Sequence, residues 1–301
     1  MSDAGCLVAT RRAPGALIVS STGITIFMPS RVWLLVVIMT DLFAMPAFAS
    51  DPVLLHAAGS LRGALTEVAE SFEKSAFEKS CSLKVQAKFG PSGLLRDEIA
   101  AGAKAEVFAS ANMEHPQALA AAKRSGPVVL FARNRLCALV RPGLSVTSDT
   151  LLERMLDPQV KLGTSTPKAD PSGDYAFEAF RKADAVRPNA RTALEAKALQ
   201  LTGGPASAAP PSGRSAYGWH IAEGRADIFL AYCTAARDAE KENPGLQTIA
   251  LPDAFAVAAD YGLTVMADAS AGGYQFAMFI LSSEGQRILA AHGFSAPNLP
   301  Q

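Results

Sequence analysis

Residues 52–74, PVLLHAAGSLRGALTEVAESFEK, decide the fold class. Pro52 to Ala58 is an apolar run of strand length, broken by Gly59-Ser60. Beyond the break, Leu61, Ala64, Leu65, Val68, Ala69 and Phe72 fall on one face at helical spacing. A buried strand that turns through glycine into an amphipathic helix is the unit of an α/β protein, in which mostly parallel sheets are flanked by helices.

The unit recurs downstream. Lys84 to Phe89 (KVQAKF) alternates like a half-buried strand and meets Gly90-Pro91-Ser92-Gly93, after which Leu94 to Ala101 predicts a helix stopped by Gly102. Ala105 to Ser110 reads as a third strand, Gln117 to Arg124 as a third helix, and Leu136 to Val140 as a further strand. The turn Asp170-Pro171-Ser172-Gly173 leads into a helix from about Tyr175 to Lys182. Tyr217 to Glu223 reads as helical, Asp227 to Tyr232 and Tyr261 to Met266 as strands, and residues 273–291 as a helix pair broken near Ser282-Ser283. Thr202 to Ser215 (TGGPASAAPPSGRS) is a Gly/Pro-rich loop, long for a compact domain: a surface insertion, or one that also borders a ligand site.

Working outward, Val32 to Met39 (VWLLVVIM) is the longest strongly apolar run, too short for a membrane-spanning helix of about 20 residues. With Arg31 before it and Ala47-Phe48-Ala49 after it, the run predicts a secretory signal peptide cleaved after Ala49 and a periplasmic mature protein. Met28-Pro29-Ser30-Arg31 would make an ordinary start to such a signal, so translation is expected to begin at Met28. The whole chain carries 28 basic and 28 acidic residues; cleavage removes three and two, leaving 25 against 26. Neutrality argues against nucleic acid as a partner, which calls for a surplus of Lys and Arg.

Export makes disulfides available to Cys81, Cys137 and Cys233. Cys137 and Cys233 lie in apolar, strand-like segments and are the candidate pair, while Cys81 sits in a polar stretch. The four histidines are scattered and no Cys-x-x-Cys occurs, so neither a zinc site nor a cofactor is expected.

Chemistry concentrates where strands meet helices. At Ala58-Gly59-Ser60 and Pro91-Ser92-Gly93 a serine stands at the start of a helix, where its hydroxyl and the unpaired first N–H groups point together and the helix dipole adds partial positive charge. That is an anion site built without cations. Asp170-Pro171-Ser172-Gly173 is a third candidate. One such junction says little, because serine caps any helix well. Several of them at the carboxyl ends of strands in an α/β sheet point to a ligand. Catalysis is not expected: Gly90-Pro91-Ser92-Gly93 lacks the last glycine of a serine-hydrolase elbow, and Gly203-Gly204 has no lysine behind it to complete a phosphate loop.

The stretches AAGSLRGALTEVAESFEK (57–74), FGPSGLLRDEIAAGAKAEVFASAN (89–112), TPKADPSGDYAFEAF (166–180), IAEGRADIFLAYCTAARD (221–238) and YGLTVM (261–266) resemble, in order, the periplasmic molybdate-binding proteins of ABC importers. The resemblance implies a two-lobed type II periplasmic binding fold: lobe I of residues 50–136 plus 262–301, lobe II of 137–261, crossing near Leu136 to Val140 and returning near Tyr261. It implies a monomer that holds molybdate or tungstate between the lobes and delivers it to an inner-membrane permease and its ATPase. Ser60 and Ser92 match the serines of the first lobe and Tyr232 the tyrosine of the second. Ser172 matches a small residue whose N–H faces the anion. A further backbone donor falls on Arg214 or Ser215, inside the Gly/Pro-rich loop, where the pattern departs. A guanidinium from Arg214 would suit a larger or more highly charged anion; a solvated Arg214 would leave the N–H of Ser215 as donor. Sulfate, phosphate, a sulfonate or an iron chelate are the alternatives on the same fold, and Asp170 or Asp174 in the cleft would favour a protonated anion such as phosphate.

Overall fold

The computed structural model describes residues 51–78 and 83–297. The expected leader (1–49), the start at Met28 and Cys81 lie outside them. The chain runs β1 (Val53–Ala58), a 3₁₀ turn (Gly59–Leu61), α1 (Arg62–Glu78), β2 (Val85–Gly90), α2 (Ser92–Ala100), β3 (Val107–Ser110), α3 (Glu114–Ala121) and β4 (Val129–Val140). It continues through α4 (Leu151–Leu156), β5 (Leu162–Ser165), α5 (Pro171–Ala183), α6 (Ala190–Lys197), β6 (Leu199–Thr202), α7 (Ala216–Ala222) and β7 (Ile228–Tyr232). The last elements are α8 (Cys233–Glu242), β8 (Gln247–Ala250), β9 (Ala258–Val265), α9 (Ala271–Leu281) and α10 (Ser283–Ala291).

The strands follow the order β2-β1-β3-β9-β4-β7-β5-β6, with β8 also on β4. Two parallel groups, β2-β1-β3 and β7-β5-β6, stand at the ends, and antiparallel strands join them. The joint is β4: Val129 to Arg135 pair with β9, while Leu136 to Val140 pair with β7 and Cys137 to Val140 with β8. One long strand thus serves both lobes of an α/β fold. Each lobe has its own core. Leu55, Leu65, Val107, Phe131 and Phe276 anchor the first; Leu136, Met155, Leu162, Phe180 and Ile228 anchor the second. Burying each such side chain contributes roughly 1.5–3 kcal/mol.

The helical face read from residues 61–72 is the buried one: Leu61, Ala64, Leu65, Val68, Ala69 and Phe72 all turn inward. Other boundaries move for identifiable reasons. The third helix begins at Glu114, because Asn112 Oδ1 accepts the His115 N–H at 3.2 Å and starts it early. The strand read from Leu136 begins at Val129; Arg133, Asn134 and Arg135 hide its first half in the sequence, yet they lie in register with β9, and Arg133 pairs with Asp260. The helix read from Tyr175 begins at Pro171, where Asp170 caps it and proline occupies the first turn. Ser60 sits in a 3₁₀ turn ahead of α1 rather than at the first α-helical position.

Candidate ligand site

Ser60 follows β1, and its hydroxyl lies 2.9 Å from the hydroxyl of Tyr261 on β9. Asn134, midway along β4, donates to Tyr261 Oη at 3.4 Å and to Thr234 Oγ1 at 2.8 Å, so the network reaches α8. Ser92 is the first residue of α2 and is buried. Its Oγ accepts the Ala111 N–H at 3.1 Å, which leaves the hydroxyl proton for another acceptor.

Across the joint, Ser172 and Tyr232 are 0% and 1% exposed, and among the described residues neither side-chain hydroxyl has a hydrogen-bond partner within 3.5 Å. Leaving a buried polar group unpaired costs about 1–3 kcal/mol, so two in one region call for an explanation. The Tyr232 ring packs against Tyr261 (5.6 Å between centroids) and Tyr175 (6.2 Å). Tyr217 packs on Phe229 at 5.1 Å, with Ser165, Ser172 and Asp170 close to its hydroxyl. Four of the five tyrosines in the chain therefore gather here.

Burial pushes the phenols of Tyr175, Tyr217, Tyr232 and Tyr261 above their usual range, and for Tyr232 the neighbouring Tyr261 and Asp170 add to it. At physiological pH all four stay neutral O–H donors. The Asp170 carboxyl is pushed up to about 6, chiefly by burial, while the N–H of Ser172 and the hydroxyl of Ser165 hold it down. Asp174 is raised too, again mainly by burial, and accepts the N–H of Lys168 at 2.8 Å. No lysine or arginine is hydrogen-bonded to the site hydroxyls among the described residues.

Three expected donors have other partners. The N–H of Ser172 goes to Asp170 Oδ1 at 3.1 Å, the bond that caps α5, so Ser172 offers its hydroxyl and not its amide. Ser215 caps α7, which places its own N–H outside the helix, and Glu242 takes that N–H at 2.7 Å. Arg214 is exposed and donates to Asn243 at 2.8 Å beside Glu242. Both residues are tied to the end of α8. The Gly/Pro-rich loop meets the site at its start: Gly203 packs on Asp170 and Gly204 on Thr166. The sequence reading missed Tyr175, Tyr217, Tyr261 and Asn134; the scarcity of tyrosine in the chain is the one signal that could have pointed to three of them. Cys137 on β4 and Cys233 at the start of α8 are disulfide-bonded, with Cα atoms 4.9 Å apart.

The sequence model of the bacterial extracellular solute-binding proteins matches residues 53–295. The chain belongs to that family. An uncharacterised protein of Pasteurella multocida is 35% identical over 208 residues, covering 69% of this chain and 84% of that one. Among solved structures, the periplasmic molybdate-binding protein of Azotobacter vinelandii is 19% identical, covers 82% of this chain and 100% of its own, and superposes with a TM-score of 0.64. The sulfate-binding protein SubI of Mycobacterium tuberculosis H37Rv, also 19% identical, covers 81% of this chain and 86% of its own with a TM-score of 0.66. At such identities the likeness establishes the fold, the two-lobed periplasmic binding fold, and leaves the ligand to the residues. The family is one of solute-binding proteins, and no helix among the described residues is long and apolar enough to cross a membrane.

Proposed function

We propose that the protein is exported to the periplasm, captures molybdate or tungstate as a monomer, and presents it to an inner-membrane ABC permease with its ATPase. The lobes, residues 50–136 plus 262–301 and residues 137–261, close around the anion, and the closed form is what the permease reads. The observation that carries this is the pair of buried, unpartnered hydroxyls on Ser172 and Tyr232, next to the Ser60–Tyr261 hydroxyl pair. A tetrahedral oxyanion is a ligand made only of acceptors, and neutral donors in a dry site suit it. The ordered resemblance along the chain supplies the choice of molybdate or tungstate.

Asp170 favours a second reading. A carboxylate beside Ser172 and Tyr217 repels a dianion but accepts the proton of a protonated one, as phosphate would be. A thermal-shift panel on the mature protein with molybdate, tungstate, chromate, sulfate and phosphate separates the two. A ligand at 100 times its Kd adds about 2.7 kcal/mol of stability. Stabilisation by molybdate and tungstate supports the first reading; stabilisation by phosphate alone replaces it with the second.

A further inference from the structure

The N–H of Gly93, second residue of α2, donates to the carbonyl of Ala169 at 2.9 Å. α2 lies between β2 and β3 of the first lobe, and Ala169 lies between β5 and α5 of the second, so this main-chain bond spans the lobes. A Cβ at position 93 would overlap the Lys168 carbonyl oxygen and come within 2.7 Å of that of Ala169. Position 93 has no left-handed φ, so the helix itself does not demand a glycine there. What demands it is the opposite lobe.

Neither side of this contact can yield cheaply. On the first lobe the Ser92–Ala111 bond pins the start of α2 to the end of β3. On the second, Lys168 holds φ +69° with its N–H tied to Asp174, and the N–H of Asp170 returns to Thr166 O at 3.0 Å. Behind them Gly173 lets α5 press on the same loop: a Cβ there would stand 2.6 Å from Ser165 O and Pro167 N. The carbonyls of Lys168 and Ala169 are therefore fixed, and they face the positive end of α2, where an acceptor is favoured.

We propose that Gly93 is the positioning residue for closure: the lobes shut through a backbone clasp that only a residue without a side chain permits. The clasp also takes the second amide of α2 away from the ligand, which leaves the Ser92 hydroxyl as the first lobe's contribution from that helix. This rests on the reading that a ligand is held between the lobes. It does not depend on which anion that is.

The test compares the mature wild type, Gly93→Ala and Gly126→Ala, whose added Cβ would meet only Val265 O at an ordinary 3.6 Å. Alanine suits a helix, so Gly93→Ala is expected to unfold, without anion, at or above the wild-type temperature. With whichever of molybdate, tungstate, sulfate or phosphate stabilises the wild type, calorimetry should show at least a tenfold weaker Kd for Gly93→Ala and an unchanged one for Gly126→Ala. Small-angle scattering at saturating anion should give a larger radius of gyration for Gly93→Ala than for the other two. Wild-type affinity and a wild-type profile in Gly93→Ala overturn the clasp. So does a wild-type profile of separated lobes under every anion. If no anion binds, the proposed ligand class fails, and scattering still decides the clasp by whether the wild type is closed and Gly93→Ala is not.

Discussion

The hydroxyls of Ser60 and Tyr261 lie 2.9 Å apart although 201 positions separate them in the chain. The bond ties the turn after β1 to β9, the strand that lies between β3 and β4 in the sheet. Either oxygen can donate, so whichever proton is not shared between them is available to an acceptor in the cleft. Asn134 donates to Tyr261 Oη at 3.4 Å and so helps to hold the pair in place.

Tyr261→Phe removes one hydroxyl and keeps the ring that packs on Phe131, Tyr232 and Phe294. A loss of about 0.5–1.5 kcal/mol in urea unfolding is expected, the net worth of a neutral hydrogen bond. Ser60→Ala is expected to weaken anion binding by about 1.5–3 kcal/mol, as for one hydrogen bond to a charged group. In a double-mutant cycle on affinity the two should be non-additive by at least ~0.5 kcal/mol. Additive effects would mean that the pair does not act as a unit.

Ser92→Ala separates two roles of one hydroxyl. It strands the buried Ala111 N–H, so unfolding free energy should fall by about 1–3 kcal/mol. It also removes a donor from the proposed anion site, so molybdate affinity should fall by a further 1.5–3 kcal/mol or so, read by calorimetry at a temperature where the variant is folded. Lost stability with wild-type affinity would take Ser92 out of the site and leave it as a structural serine.

The Cys137–Cys233 bridge closes a span of 96 positions and fixes α8 immediately after Tyr232. In the chain-entropy treatment a loop of that size is worth up to about 4–5 kcal/mol, near the top of the range measured for native disulfides. Reduction, or Cys137→Ser with Cys233→Ser, should lower the urea midpoint accordingly. An unchanged midpoint under reductant would show that the oxidised chain carries no such bridge.

How much of this was readable from the sequence follows from how local each signal is. β1, β2 and α2 are legible because each strand ends at a glycine followed by a helical stripe, and both signals lie within a dozen residues. β5 has four residues and α4 has six, too few to show a period, and both went unread. Ser60, Ser92 and Tyr232 could be named from their junctions. Tyr175, Tyr217 and Tyr261 come from α5, α7 and β9, which only tertiary packing brings to Tyr232. The fates of Ser172 N–H, Ser215 N–H and Arg214 were invisible because each depends on a carboxylate or amide that a cap or a neighbouring helix supplies.

Asp170 gives stability a pH dependence of known sign. Its native pKa of about 6 lies above the ordinary value near 4, so between those values the native state binds more protons than the unfolded one. This group therefore costs nothing below pH 4, and its burden grows as pH rises through 6. His115, lowered to about 4 by burial and by Arg96, works the other way, losing stability as pH falls below 6.5. The difference between wild type and Asp170→Asn isolates the carboxyl, since asparagine can still cap α5. The variant should be more stable than wild type at pH 7 and equal to it at pH 4. A difference independent of pH would show that Asp170 titrates normally.

The same carboxyl separates the two ligand readings through protons. A dianion placed beside Asp170 raises its pKa beyond 6, so molybdate binding at pH 7 should take up as much as about one proton, and affinity should fall as pH rises toward 8. Calorimetry in buffers of different ionisation enthalpy measures that uptake directly. In Asp170→Asn the uptake should vanish and binding at pH 8 should tighten, because the repelling charge is gone. Phosphate, if it is the ligand, predicts the opposite, since the ionised carboxylate then accepts the ligand's proton and asparagine cannot replace it. Molybdate binding with no proton uptake in the wild type would place Asp170 outside the anion's reach and reduce it to the cap of α5.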